Sequence, residues 1–302
     1  MMTVPNDPRE AAPALGRIGV WSFDIVLLPV AEVRAAVERI DELGYGAVWY
    51  PEVPFGRESL SQAAMLLAWS ERIAVASGIA NIHARDAVSA ANGARGLGEA
   101  YPGRFLLGLG VSHAPSVVSR GGDYGRPLSL MRGYLDAMDA APFVPGAFVP
   151  PRAVAALAPK MLELAAARSL GSHTYFVPPQ HTAVARAALG AGPLLLVEQA
   201  VVLGVDASSA RALAREHMAP YLQLPNYRNN LLRLGFTEED VDHGGSDRLV
   251  DAIVARGDVS AICARVEEHF AAGADHVAIQ LLHPAGTGFP LHGLAELAPA
   301  LL

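Results

Sequence analysis

At 302 residues, with 52% hydrophobic and 18% charged side chains, the chain can bury the core of one large α/β domain or two smaller ones, and global disorder is excluded. A formal charge of -7 without any cluster of Lys or Arg excludes the basic footprint of a nucleic-acid or membrane-surface binder and leaves small-molecule chemistry. The lone cysteine, Cys263, excludes an intrachain disulfide framework, fits a reducing compartment, and reads as a buried small hydrophobe within a helical pattern. The opening MMTVPNDPREAAPALGR lacks the basic start and apolar core of a signal peptide, and no stretch reaches the length of a membrane span, so a cytosolic protein is expected.

Residues 1–16 read as a loose tail and 17–302 as one domain in which apolar strands alternate with amphipathic helices. The first strand is expected over 18–22, a helix runs from Pro29 to Leu43, and Gly44-Tyr45-Gly46 leads into a second strand over 47–50. A helix follows over 59–70. IAVAS (73–77) is a β-branched run without alternation, as a strand buried on both faces requires, and it stops at Gly78. Ala87, Val88, Ala91, Ala94, Leu97 and Ala100 have helical spacing, and Pro102-Gly103 ends that helix before the fourth strand, 105–109. A polar segment, Ala114 to Arg126, is long enough to form part of a lid and precedes a helix over 128–140. The Pro-rich 142–152 stretch reads as a loop within the domain. The fifth strand is expected over 153–157, then a helix opened by Pro159, a sixth strand over 173–177, a helix over 179–189 and a seventh strand over 194–203. Asp206 caps the next helix, and 217–257 has no strand-like run and reads as extra helices over a barrel mouth. A helix over 260–272 and an eighth strand over 276–281 close the series. Eight strands with intervening helices favour a closed α/β (β/α)8 TIM barrel, and the lack of GxGxxG after the first strand argues against a Rossmann sheet.

In such a barrel the carboxyl ends of the strands share one rim, which is where the chemistry sits. At those ends lie SGIANI and then PGRFLLGLGVSH, with YGAVWYPE after the first helix, ALAPKMLELAA at the fifth strand and GADHVAIQLL at the last. Taken in this order and spacing, from about Ile18 to Leu282, the chain resembles the luciferase-like monooxygenase superfamily and, within it, the deazaflavin (coenzyme F420)-dependent oxidoreductases. The resemblance implies a non-proline cis peptide at Gly78-Ile79 against a tricyclic ring, with Ala80, Asn81 and, at the end of the fourth strand, Ser112 as further cofactor contacts. It seats the cofactor phosphate on the helix start at Ala158, Lys160 and Met161, where helix amides favour an anion and Lys160 either adds a cation or solvates the helix start. Relatives often carry Gly-Pro where this chain has Ala158. Tyr175, inward-facing if the sixth strand alternates, is a further cofactor candidate or a core tyrosine, and His173 shares its face. A homodimer through outer helices after the second and third strands is implied as well.

Two residues are candidates for proton transfer. Glu52 ends the second strand where relatives have Asp followed by His, and here Val53 follows, so the histidine-base mechanism does not carry over. His113, at the end of the fourth strand, is the replacement, because imidazole titrates near neutrality. Ser22 faces the pocket or caps a turn, and PNYRNN (225–230) reads as a helix junction or as a substrate contact from the extra helices. Scattered histidines without HExxH predict no metal, and the absence of GxSxG disfavours serine hydrolysis. The expected function is an F420-dependent oxidoreductase moving hydride to or from a small organic substrate. Its rivals are an FMN-dependent luciferase-like monooxygenase and a non-catalytic barrel serving as a binding or subunit partner.

Overall fold

The computed structural model describes residues 13–142 and 151–302. In chain order the strands are β1 Ile18–Trp21, β2 Ala47–Tyr50, β3 Ala74–Ser77, β4 Ala80–Asn81, β5 Phe105–Gly110, β6 Arg152–Ala155, β7 Gly171–Thr174, β8 Leu194–Leu203, β9 Ala255–Gly257 and β10 His276–Leu281. They run in the order β10-β1-β2-β3-β5-β6-β7-β8, and β10 pairs again with β8, so a parallel eight-stranded barrel closes as expected for a (β/α)8 fold.

Alternation along each strand builds two cores. In β2, Val48 and Tyr50 face the surrounding helices, while Ala47 and Trp49 face the barrel axis with Trp21, Ala76, Leu106, Leu196 and Ala278. Both faces are therefore apolar, which is why the strands read as unbroken hydrophobic runs. The helix Val30–Leu43 ends where Gly44 takes φ 91°, a conformation that other residues adopt only with strain.

The barrel floor is polar but satisfied. Trp49 Nε1 donates to His276 Nε2 at 2.9 Å, and His276 Nδ1 donates to the Gly16 carbonyl at 2.9 Å. Leu15 plugs the same end. Of the expected tail, residues 1–12 lie outside the described residues, whereas 13–16 are docked rather than loose, with Leu15 only 5% exposed.

Several boundaries differ from expectation. The sixth barrel strand is Gly171–Thr174, because Phe176 takes φ 60° and turns the chain; Tyr175 thus lies just past the strand. The segment 217–257 does contain a strand, β9, which pairs with the upper end of β8 and is too short to show a period. The polar segment after β5 begins with a short helix, Ala114–Val118, and a last helix, Leu291–Leu301, follows β10. Tyr45 Oη donates to the Leu294 carbonyl at 2.8 Å and ties that helix to the chain ahead of β2. Cys263 is half-buried rather than buried. Within the Pro-rich stretch, 143–150 lie outside the described residues.

Between β8 and β9 the chain makes a helical excursion: Ala207–Leu222, Pro225–Arg233, Glu238–Val241 and Asp247–Ile253. Asp206 caps the first of these, as expected, accepting from the N–H groups of Ser208 and Ser209. The excursion has its own apolar cluster, with Met218, Leu222, Leu231 and Leu249 packed on Phe176 and Val202. Its two ends are clipped together, Gly204 N–H donating to the Gly257 carbonyl at 2.9 Å.

Candidate active site

The rim has two unlike walls. On the β3–β5 side the wall is backbone. The Gly78-Ile79 peptide is cis, Gly78 N–H donates to the Tyr50 carbonyl at 2.7 Å, and the Ile79 carbonyl accepts from Glu52 N–H at 3.3 Å. This knuckle fits only because β5 presents glycines to it. A Cβ at Gly108 would stand 1.9 Å from the Ser77 carbonyl oxygen, and one at Gly110 would stand 2.4 Å from Ile79 Cγ1. The chain then pairs as β4 with β5, placing fully buried Ala80 opposite Leu109 and Asn81 opposite Gly110. Asn81 Oδ1 accepts from His83 N–H at 2.9 Å.

Glu52 braces the knuckle. Its Oε2 accepts from Asn81 N–H at 2.7 Å and its Oε1 takes Arg85, whose guanidinium also reaches Glu58 at 2.8 Å. With its side chain 3% exposed and both oxygens engaged, the carboxylate holds the turn in place rather than standing free for proton transfer.

Beside Gly78 lie two polar atoms without partners. Trp21 Nε1 is an unpaired donor. His173 Nδ1 donates to the Leu196 carbonyl at 3.1 Å, which leaves Nε2 as a bare acceptor, also unpaired. A Cβ on Gly78 would lie 2.6 Å from Trp21 Nε1 and 3.2 Å from His173 Nε2, so both atoms stand close against Gly78. Burial brings the His173 pKa down to about 4 and keeps the ring neutral, and the ring stacks on Trp49 with centroids 4.6 Å apart.

The opposite wall is made of rings. Tyr175 Oη donates to Gln280 Oε1 at 2.9 Å and so accepts from Tyr221 Oη, also at 2.9 Å. Trp21 packs on Tyr175 (4.8 Å between centroids), Tyr221 on Tyr175 and Tyr227 (both 5.3 Å), and Phe176 on Tyr221 (5.0 Å). Tyr221 and Tyr227 come from the excursion helices. Among these rings sits Glu198 of β8, 1% exposed, with Oε2 accepting from Phe176 N–H at 3.1 Å and Oε1 unpaired. Burial pushes its carboxyl up to about 8, against the smaller opposing effect of the Phe176 N–H.

His113 precedes the helix Ala114–Val118 and packs on Tyr227 at 5.4 Å. Burial lowers its pKa while a hydrogen bond with Asn226 opposes that shift, and its Nδ1 is unpaired. Ser112, at φ 57°, turns the chain so that its carbonyl accepts from Tyr124 Oη at 3.2 Å. At the start of the helix Pro159–Arg168, the Ala158 carbonyl accepts from the N–H groups of Met161 and Leu162, Lys160 is exposed, and Met161 packs against the core. Ser22 caps a turn, its Oγ accepting from Asp24 N–H at 3.0 Å. Among the described residues no group of three or more His, Cys, Asp or Glu is placed to hold a metal ion, and no helix is long and apolar enough to cross a membrane.

The structure thus joins the Gly78–Asn81 turn, Glu52 and, through Trp21, Tyr175. Sequence reasoning missed Trp21, Arg85, Glu198, Tyr221 and Gln280, and reached Tyr227 only as part of PNYRNN. Of those missed, only Glu198 left a mark, as the lone charge in LLLVEQAVVL.

A parallel barrel with an aromatic rim opposite a backbone knuckle narrows the class, and the comparisons agree. The luciferase-like monooxygenase profile matches residues 9–276, most of the chain, and the protein belongs to that family. A comparison with curated proteins returned no match. Among solved structures it is similar in fold to an F420-dependent secondary alcohol dehydrogenase in complex with an F420-acetone adduct, at 14% identity and TM-score 0.72 over 95% of this chain and 99% of the other. It is also similar to a coenzyme F420-dependent tetrahydromethanopterin reductase from Methanopyrus kandleri (13% identity, TM-score 0.68, 95% and 97% covered). A third is a type II Baeyer-Villiger monooxygenase in complex with FMN, the oxygenating constituent of 3,6-diketocamphane monooxygenase from the CAM plasmid of Pseudomonas putida (16%, TM-score 0.68, 95% and 98%).

Proposed function

We propose that the protein is an F420-dependent oxidoreductase that moves hydride between the deazaflavin and a small organic substrate. The observation that carries this reading is the pair of unpaired atoms at the knuckle, Trp21 Nε1 and His173 Nε2, one donor and one acceptor. A flat heterocycle with an amide-like edge matches such a pair, and burying both atoms without a partner costs about 1–3 kcal/mol each. The deazaflavin, when bound, supplies a carbon that accepts or releases hydride.

The chain's own residues supply the rest. Gly78 and Ile79 support one face of the ring, with the glycines of β5 giving the turn its room. Trp21 and His173 address the ring's polar edge. The helix start at Ala158–Met161 receives phosphate, with Lys160 as an added cation. His113 holds the proton-transfer position next to Tyr227.

The FMN-dependent monooxygenase reading has one observation in its favour: the FMN-bound relative and the F420-dependent reductase match this chain at the same TM-score, 0.68. Titrating the purified protein with each cofactor, followed by the cofactor's absorbance and fluorescence, separates the two. Micromolar or tighter binding of F420 is expected. Tight FMN binding with no affinity for F420 would falsify the proposal.

A further inference from the structure

The segment after β10, residues 282–290, forms neither helix nor strand and turns at Gly286 and Gly288, with φ 79° and 76°. We propose that His283 is a proton-operated latch on this loop: as an imidazolium it ties the loop to the end of β1, and as a neutral ring it lets the loop go. The inference holds whichever cofactor the barrel takes.

Hydrogen-bond counting assigns the ring both of its protons. Thr287 Oγ1 has one hydrogen and donates it to the Pro284 carbonyl at 2.7 Å, so at 2.9 Å from His283 Nδ1 it can only accept. On the other side Nε2 lies 2.9 Å from Asp24 Oδ2, and a carboxylate only accepts. Both ring nitrogens therefore donate, which defines the imidazolium. Asp24, at the start of the short helix Asp24–Leu27, is itself fixed: its Oδ2 also accepts the Ser22 O–H at 3.0 Å, and its N–H donates to Ser22 Oγ. The chain of bonds thus runs from the loop to the residue that follows Trp21.

A neutral ring keeps one proton only. Held on Nε2, it obliges Thr287 to turn from Pro284 to Nδ1; held on Nδ1, it sets a lone pair against the Asp24 carboxylate. One bond and the charge attraction are lost either way.

The charged surroundings favour the cation. Besides Asp24 they are Glu32, whose Oε2 stands 4.0 Å from the position of a Cβ on Gly288, Glu216 from the helix Ala207–Leu222, and Glu296 with His292 from the last helix. The hydrogen bond to Asp24 holds His283 above the ordinary histidine range, against the opposing effect of burial. At 20% and 19% exposure the two side chains reach solvent, so the proton exchanges without unfolding. The tie is complete below the ordinary histidine range and is lost as pH rises through the raised value. His283 and Pro284 also line a groove of about 630 Å³ shared with Leu203, Leu213 and Leu281, so releasing the loop withdraws one side of that groove.

Nitrogen NMR of His283 and amide hydrogen exchange of residues 285–289, both followed in the purified protein from about pH 5 to 9, test the latch. Both ring nitrogens are expected to be protonated at the acid end, and the loop's protection factors to fall at least about fivefold across the His283 transition while those of β10 stay constant. Asp24→Asn is expected to lower the transition by about one pH unit or more. Thr287→Val leaves the Asp24 bond and is expected to give, at acid pH, the low protection that the native loop shows at alkaline pH. A ring with one proton at about pH 5, loop protection indifferent to pH, or a transition unmoved in Asp24→Asn overturns the latch. If Asp24→Asn does not fold, the native titration and Thr287→Val decide alone, and protection unaltered in Thr287→Val overturns it as well.

Discussion

The two walls of the mouth solve opposite problems. On the β3–β5 side, side chains are withdrawn: Gly78, Gly108 and Gly110 let backbone approach backbone, and Glu52 and Arg85 fasten the turn from behind. On the β7–β8–β10 side, side chains fill the space, and Glu198 is left with a free oxygen among them. The first wall is intolerant of added atoms. The second tolerates exchange so long as volume and hydrogen bonds persist.

Breaking the first wall is expected to cost most. Arg85→Ala strands Glu52 beneath the knuckle and is expected to lower stability by about 3–5 kcal/mol in urea unfolding, whereas Glu58→Ala, at the exposed end of the same cluster, costs about 1–2 kcal/mol, most of it the lost cap of the helix Ser59–Ala68. Equal losses would show that the buried pair has no special weight. Next come the glycines. Gly108→Ala and Gly110→Ala are each expected to cost about 3 kcal/mol. Only the second should recover, by half or more, when combined with Ile79→Ala, because its clash is with that side chain while Gly108 faces the Ser77 carbonyl. A double-mutant cycle measures this difference.

The second wall shows itself through pH. Since Glu198 titrates near 8 when folded, the native state keeps a proton that the unfolded chain has already released above the ordinary glutamate range. Stability therefore falls as pH rises between that range and 8, by about 1 kcal/mol per pH unit, and levels off above it. Glu198→Gln should flatten the slope in denaturant curves taken from pH 5 to 8; an unchanged slope would assign it to another group. Smallest is Tyr221→Phe, which removes one hydrogen bond to Tyr175 and is expected to cost about 1 kcal/mol, with Tyr175 keeping Gln280.

The turn of the first wall was legible in the sequence through the family resemblance, whereas what braces it, and most of the second wall, was not. GIANI marks the turn at Gly78, while the room that Gly108 and Gly110 leave for it shows only once the neighbouring strands pair. Strand periods survive as apolar runs because both faces of the barrel are dry. The ring wall is assembled across distance: Tyr175, Tyr221, Glu198 and Gln280 come from separate elements, and their meeting depends on barrel closure and on where the excursion helices land. Glu52 reads as a free acid from its place at a strand end, since Arg85, thirty-three residues later, is invisible to local pattern. β9 escaped because three residues cannot display periodicity.

The helical excursion leaves β8 at Gly204 and returns beside it at Gly257, the two joined by one hydrogen bond. Barrel closure runs through β10 and β8 and owes nothing to what lies between those two glycines. The excursion is in effect a cassette on a fixed socket. Its side chains can change without disturbing the hydrogen bonds that shut the cylinder.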